Sequence, residues 1–173
     1  MRIETYFARP GLDGRSRGPQ QALQRALARP VSLEIADVIL TDIAIPPTLA
    51  REVFCDPVVQ GIAEGPIPEL GLFSGWDWLV EVAYRPGVTD TLALTAREAL
   101  EIAEPGLGEG GTVQTAKLYL VSAAGIDREA LAKAFSSMWN PLIQSAIFVS
   151  RKEWAAGKRL PELYPKVELS EPP

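Results

Sequence analysis

The sequence predicts an α+β fold assembled from one unit used twice, and three observations carry that reading. The chain matches itself: Ile3 to Leu12 reads IETYFARPGL and Leu79 to Val88 reads LVEVAYRPGV, with Arg9-Pro10-Gly11 falling on Arg85-Pro86-Gly87 at an offset of 76. A later landmark, Asp56-Pro57-Val58-Val59-Gln60, falls on Asn140-Pro141-Leu142-Ile143-Gln144 at an offset of 84. The glycine-rich insert Glu104 to Gly111 accounts for the growth in offset. Finally, short β-branched and aromatic runs alternate with amphipathic helical spacing in the same order in both copies.

Taken in order, Ile3 to Phe7 and Leu79 to Tyr84 read as strands that end at a proline, which donates nothing to a ladder, and a glycine free to turn. The first helix is marked by Ala22, Leu23, Ala26 and Leu27 behind Pro19 at its start, and by Leu92, Ala96, Ala99, Leu100 and Ala103 behind a capping Asp90. Val31 to Ile45 and Val113 to Val121 are apolar stretches predicted to hold two short strands each. Pro47, Leu49, Ala50, Val53 and Phe54 mark the second helix of one copy, and Asp127, Leu131, Ala134, Phe135 and Met138 that of the other. Val58 to Ala63 and Leu142 to Val149 close the units as final strands.

Each unit therefore reads β-α-β-β-α-β, the split βαβ arrangement of the ferredoxin-like type, with an antiparallel sheet and both helices on one face. The expected organisation is a first unit in residues 1–70, a second in 71–150 and an extended proline-containing tail in 151–173. A unit of this size leaves a sheet face bare, so the copies are expected to pack on each other as an intramolecular pseudo-dimer. Gly61, Gly65, Pro66, Pro68, Gly71 and Gly75 mark a linker over 61–77, anchored by Trp76 and Trp78. Trp154, Leu160, Leu163 and Tyr164 are the points where the tail is expected to dock.

Composition narrows the chemistry. In 173 residues, 47% are apolar and 23% charged, as in a packed globular protein, and the net charge of −5 opposes binding to nucleic acid or anionic membrane. No apolar run approaches a membrane span and the first residues lack a signal-peptide pattern, so a cytoplasmic protein is expected. With no histidine, the chain builds no Ser-His-Asp or Cys-His relay, and a single cysteine, Cys55, excludes an intrachain disulfide and a cysteine zinc site. No cofactor and no metal are expected.

The remaining motifs read mostly as structure. Gly106, Gly108, Gly110 and Gly111 follow a helix and precede a strand, the reverse of a phosphate cradle, and Cys55 reads as a buried thiol. Glu98, Glu101, Glu129 and Glu153 read as solvated helix charges rather than an acid/base pair. The Arg-Pro-Gly turn leaves its arginine unexplained, and in the second copy Arg85 stands ahead of Thr89, Asp90, Thr91 and Arg97.

With its Gly18-Pro19-Gln20-Gln21-Ala22-Leu23 helix start and its Asp56 to Gln60 ending, the unit resembles the PurS-type small subunit of phosphoribosylformylglycinamidine synthase. The second copy, Val80 to Asp90 with Asn140 to Gln144, resembles the tandem PurS-like region that opens long forms of that synthase. Tyr164 to Leu169 is similar to the connector that follows in those forms, and the likeness covers residues 1–150. It implies a purine-biosynthesis role, in which the PurS-like part bridges the synthetase and glutaminase subunits or domains of an ATP- and glutamine-using ligase and supports ammonia transfer. PurS subunits pair, so a tandem chain would be one such pair made covalent, monomeric or weakly dimeric when isolated. Arg85, Asp90 and Gln144 are the candidate partner contacts, and no catalytic residue is expected. Two other classes fit the pattern: a tandem regulatory module binding a small molecule such as an amino acid, and a carboxylate enzyme of the dimeric α+β barrel type.

Overall fold

A computed structural model describes residues 1–9 and 13–166. The strands are β1 (Arg2–Phe7), β2 (Ser32–Thr41), β3 (Gln60–Glu64), β4 (Trp78–Tyr84), β5 (Val113–Ser122) and β6 (Gln144–Ser150). The helices are α1 (Arg17–Leu27), α2 (Pro47–Phe54), α3 (Thr91–Ala103), α4 (Arg128–Phe135) and a short α5 (Arg151–Ala155). All six strands lie in one antiparallel sheet in the order β3-β1-β2-β5-β4-β6.

Two expectations need correction. Val31 to Ile45 and Val113 to Val121 each hold one strand of ten residues rather than a pair. The reason is local: neither Ser32–Thr41 nor Val113–Ser122 contains the glycine, proline or asparagine that a hairpin turn would need. Each half is thus β-α-β-α-β, and the place beside β2 that a hairpin partner would fill is taken by β5 of the other half. The halves accordingly do not stack sheet on sheet. They join edge to edge through the full length of β2 and β5, from Ser32 opposite Ser122 to Thr41 opposite Val113.

The two faces are covered differently. On one, Leu33, Ile35, Val80, Val82, Tyr119 and Val121 pack under Leu23 of α1 and Leu131 and Phe135 of α4, while Ile3 packs with Ala50 of α2 and Leu100 of α3. Helices therefore partner across the halves, α1 with α4 and α2 with α3. On the other face, Ala36, Val38, Leu40, Leu79, Leu118 and Leu120 are roofed by Ile67 and Trp76 of the connection and by Trp154 and Leu160 of the tail. Trp76 and Trp154 meet edge to face with ring centroids 6.3 Å apart. The tail is thus more ordered than an extended strap: α5 carries a full capping box between Ser150 and Glu153, although Leu163 remains exposed.

The turn that enters the last strand of each half is built identically. The Asp56 carboxylate accepts from the Val58 amide at 2.9 Å and the Gln60 side chain accepts from the Asp56 amide at 2.8 Å. The Asn140 side chain likewise accepts from Leu142 at 3.0 Å and Gln144 from Asn140 at 2.9 Å. With Gln60 matched to Gln144, the ladder registers match Glu4 to Glu81 and Ala36 to Ala116. The first strands thus correspond one residue later than the Arg-Pro-Gly alignment implies: the Ala8 amide donates to the Val59 carbonyl as the Arg85 amide does to that of Ile143, so Ala8 takes the place of Arg85, and Pro10 and Gly11 lie outside the described residues. Asp37 and Lys117 also correspond, and they face each other directly across β2 and β5, so the axis relating the halves passes between them.

Candidate functional site

The second Arg-Pro-Gly turn closes with the Val88 amide donating to the Arg85 carbonyl at 3.1 Å, and Gly87 supplies the positive φ of 83° that a side chain would resist. Asp90 then caps α3, accepting from the Ala93 amide at 2.9 Å, and also accepts from the Thr115 amide at 2.7 Å and the Thr115 hydroxyl. It pins the start of α3 to β5. Arg85 is exposed, and its Nε donates to the Gln144 carbonyl at 2.8 Å. The Gln144 side chain is engaged in the Asn140 turn.

These three residues do not share one site. Arg85 and Asp90 line a groove of about 550 Å³ whose far wall is the docked tail at Tyr164, Pro165 and Lys166. Arg85, Arg97 and Lys166 bring three positive charges to it, and Lys166 donates to the Thr112 hydroxyl. Gln144 instead borders a second cleft, of about 540 Å³, on the helix-covered face above Asp37 and Lys117. Tyr84 and Thr115 line both. The corresponding residues of the first half have a different arrangement: Asp13 caps the turn at Gly14–Ser16 and binds Arg15 through Nε at 2.8 Å, and Arg15 also pairs with Asp37. The Asp13 bond, with Asp37 adding to it, raises the Arg15 pKa further.

The most deeply buried polar cluster escaped the sequence reading. Glu4 and Glu81 are both 0% exposed, on the face opposite the helices, with Arg2 between them. Arg2 Nε is 2.5 Å from Glu4 Oε1, and its other nitrogens pair with the Glu81 carboxylate. The Ile67 amide donates to Glu4 at 2.7 Å and the Tyr164 hydroxyl to Glu81 at 2.6 Å. Burial, only partly offset by Arg2, pushes the Glu4 carboxyl up, and burial beside Glu81 pushes the Tyr164 phenol up. The signal was present: a glutamate at the same position of the first strand of each copy, in RIETYF and in WLVEVAY. With the polar atoms satisfied and the tail roofing them, the cluster holds connection, sheet and tail together.

Cys55 is buried, its thiol 3.5 Å from the Gln60 carbonyl oxygen. Glu98 and Glu129 make no hydrogen bond among the described residues, Glu101 accepts from the Gly106 amide at 2.8 Å, and Glu153 belongs to the cap of α5. Among the described residues no group of three or more Asp, Glu, Cys or His is placed to hold a metal, and no helix is long and apolar enough to cross a membrane. No family model matches the chain, and no curated protein matches it.

Proposed function

We propose that the chain is a non-catalytic assembly component of a phosphoribosylformylglycinamidine synthase, a tandem ferredoxin-like, PurS-like piece that bridges synthetase and glutaminase and supports ammonia transfer between them. The observation that carries this reading is the repeat itself. Two halves of the same topology, with the same Asx-Pro turn locked by Gln60 and Gln144, meet across one pseudo-two-fold axis, as a covalently joined pair of PurS-like subunits would. The second strand that a complete ferredoxin-like unit would have is supplied to each half by the other. No histidine is present and the one thiol is buried, which suits a bridging role better than glutamine hydrolysis.

Arg85 is the partner contact on this reading, in a groove whose cations Arg85, Arg97 and Lys166 suit an acidic segment of the synthetase. Asp90 and Gln144 support that surface from inside, since both are committed to turn and cap.

The test is capture of the purified chain by synthetase and glutaminase subunits, with glutamine-dependent amidine formation as readout. Arg85→Ala is expected to leave the melting temperature nearly unchanged and to weaken capture at least tenfold. A chain that neither binds the synthetase nor raises glutamine-dependent turnover overturns the proposal, as does glutaminase activity of the isolated chain that Cys55→Ser abolishes.

A further inference from the structure

The second cleft lies where the halves meet, between the α1–α4 pair and the α2–α3 pair, and its floor is the axis itself. Asp37 and Lys117 stand there side by side, both about 40% exposed, with Lys117 Nζ 3.9 Å from Asp37 Oδ1. That separation is too long for a hydrogen bond. The Lys117 ammonium makes no hydrogen bond among the described residues, and its side chain lines the cleft. Asp37 accepts from Arg15 through Oδ2, and its Oδ1, the atom nearest Lys117, accepts no side-chain hydrogen bond among the described residues. The floor itself carries one cation and one anion, Lys117 and Asp37, while Arg15 and the Asp13 that clamps it hold Asp37 from outside the lining. The floor is neutral overall and strongly dipolar.

The walls are mixed, with the amides of Gln60 and Gln144 at the rim beside an apolar group. Phe54 and Met138, at corresponding positions in the two halves, stand with Leu92 and Ala96 of α3 over this polar floor. A cleft of about 540 Å³ is within the roughly 300 to 1,000 Å³ typical of small-molecule sites, which combine apolar lining with a few convergent polar groups. A single anion would need only Lys117 and would meet repulsion from Asp37; a single cation faces the converse. A molecule with both charges close together satisfies both.

We propose that this cleft binds a small zwitterion, an α-amino acid with an apolar side chain, its carboxylate on Lys117, its ammonium on Asp37 and its side chain against Phe54 and Met138. The two charged groups of an α-amino acid hang from one carbon, which suits two side chains directly opposed on neighbouring strands. The site is independent of the assembly role and needs no partner to be occupied.

The experiment is isothermal titration of the full chain with leucine, methionine and phenylalanine, alongside isoamylamine and 4-methylpentanoate, which keep leucine's side chain but carry one charge each. The expected result is saturable one-to-one binding of at least one amino acid, weakened at least tenfold when either charged group is missing. Lys117→Met and Asp37→Asn should each weaken it at least tenfold, and Ala96→Phe, which fills the cleft, should abolish it. Melting curves identify any variant that fails to fold, and Lys117→Met and Ala96→Phe decide the matter if Asp37→Asn does. Absence of saturable binding by all three amino acids, equal binding of a singly charged analogue, or unchanged binding in Ala96→Phe overturns the proposal, whatever the outcome with the synthetase.

Discussion

Arg2 and Glu81 belong to different halves of the repeat, yet they form a buried ion pair that the first half's own Glu4 shares. One guanidinium thus serves two carboxylates that occupy the same position in the two copies. Removing one member of such a buried pair typically costs about 3 to 5 kcal/mol, because the remaining charge is left uncompensated. Arg2→Met is expected to fall in that range by chemical denaturation. The triple variant with Glu4→Gln and Glu81→Gln should recover a large part of the loss. A cost below about 1 kcal/mol for Arg2→Met alone would mean that the carboxylates find other partners.

The Gln60 and Gln144 side chains close equivalent turns at opposite ends of the sheet. Gln60→Met and Gln144→Met should each cost about 1 kcal/mol, the usual net contribution of one hydrogen bond, and the double variant should show the sum, since distant sites add. Strong non-additivity in denaturant titrations would argue against two independent locks.

Stability at low pH should depend on Glu153. Its carboxylate accepts from the Ser150 amide first of all, then from Lys158, with Arg128 nearby, and these hold its pKa down at about 2. A carboxyl whose folded pKa is depressed contributes stability above its unfolded value, near 4.3, and loses it as pH falls towards 2. Melting temperature should therefore drop less steeply between roughly pH 5 and pH 2 in Glu153→Gln than in the wild type. Because this side chain is about one-third exposed (34%), added salt should diminish the difference. Parallel pH profiles for the two proteins would remove Glu153 from the account.

At the β1–β3 edge, Tyr6 lies across Gly61, and a Cβ at that glycine would come within 2.6 Å of the tyrosine ring. Gly61→Ala should destabilise by about 1 to 3 kcal/mol through overpacking. The second change Tyr6→Ala should make the alanine at 61 nearly neutral relative to Tyr6→Ala alone. A full penalty that persists without the ring would place the cause in the backbone instead.

Much of this architecture was legible because repetition is a local signal that survives divergence. The Arg-Pro-Gly and Asx-Pro landmarks located both copies, and the helix periodicities with the Asp90 cap placed the helices. The subdivision of Val31 to Ile45 was misread because an apolar run shows its strand content but not its partner. Beyond β1, what pairs with β2 is β5, some eighty residues away and in the other copy, and no short-range pattern encodes that. The axis residues were invisible for the same reason. Asp37 and Lys117 gain meaning only once the register sets them opposite each other. Glu4 and Glu81 differ, since their equivalence is present in the sequence but is hidden when the strands are aligned one residue out by the Arg-Pro-Gly motif.

The Asp37–Lys117 pairing sets this chain apart from any assembly of identical subunits. Two copies of one polypeptide meeting on a rotation axis must present the same residue to itself there, acid to acid or base to base, and such a centre is symmetric in charge by necessity. Covalent linkage lifts that constraint. Each half varies alone, so the midpoint of the sheet carries an electric polarity, acid on β2 and base on β5, and an asymmetric occupant would have one preferred orientation where a homodimer would offer two equivalent ones.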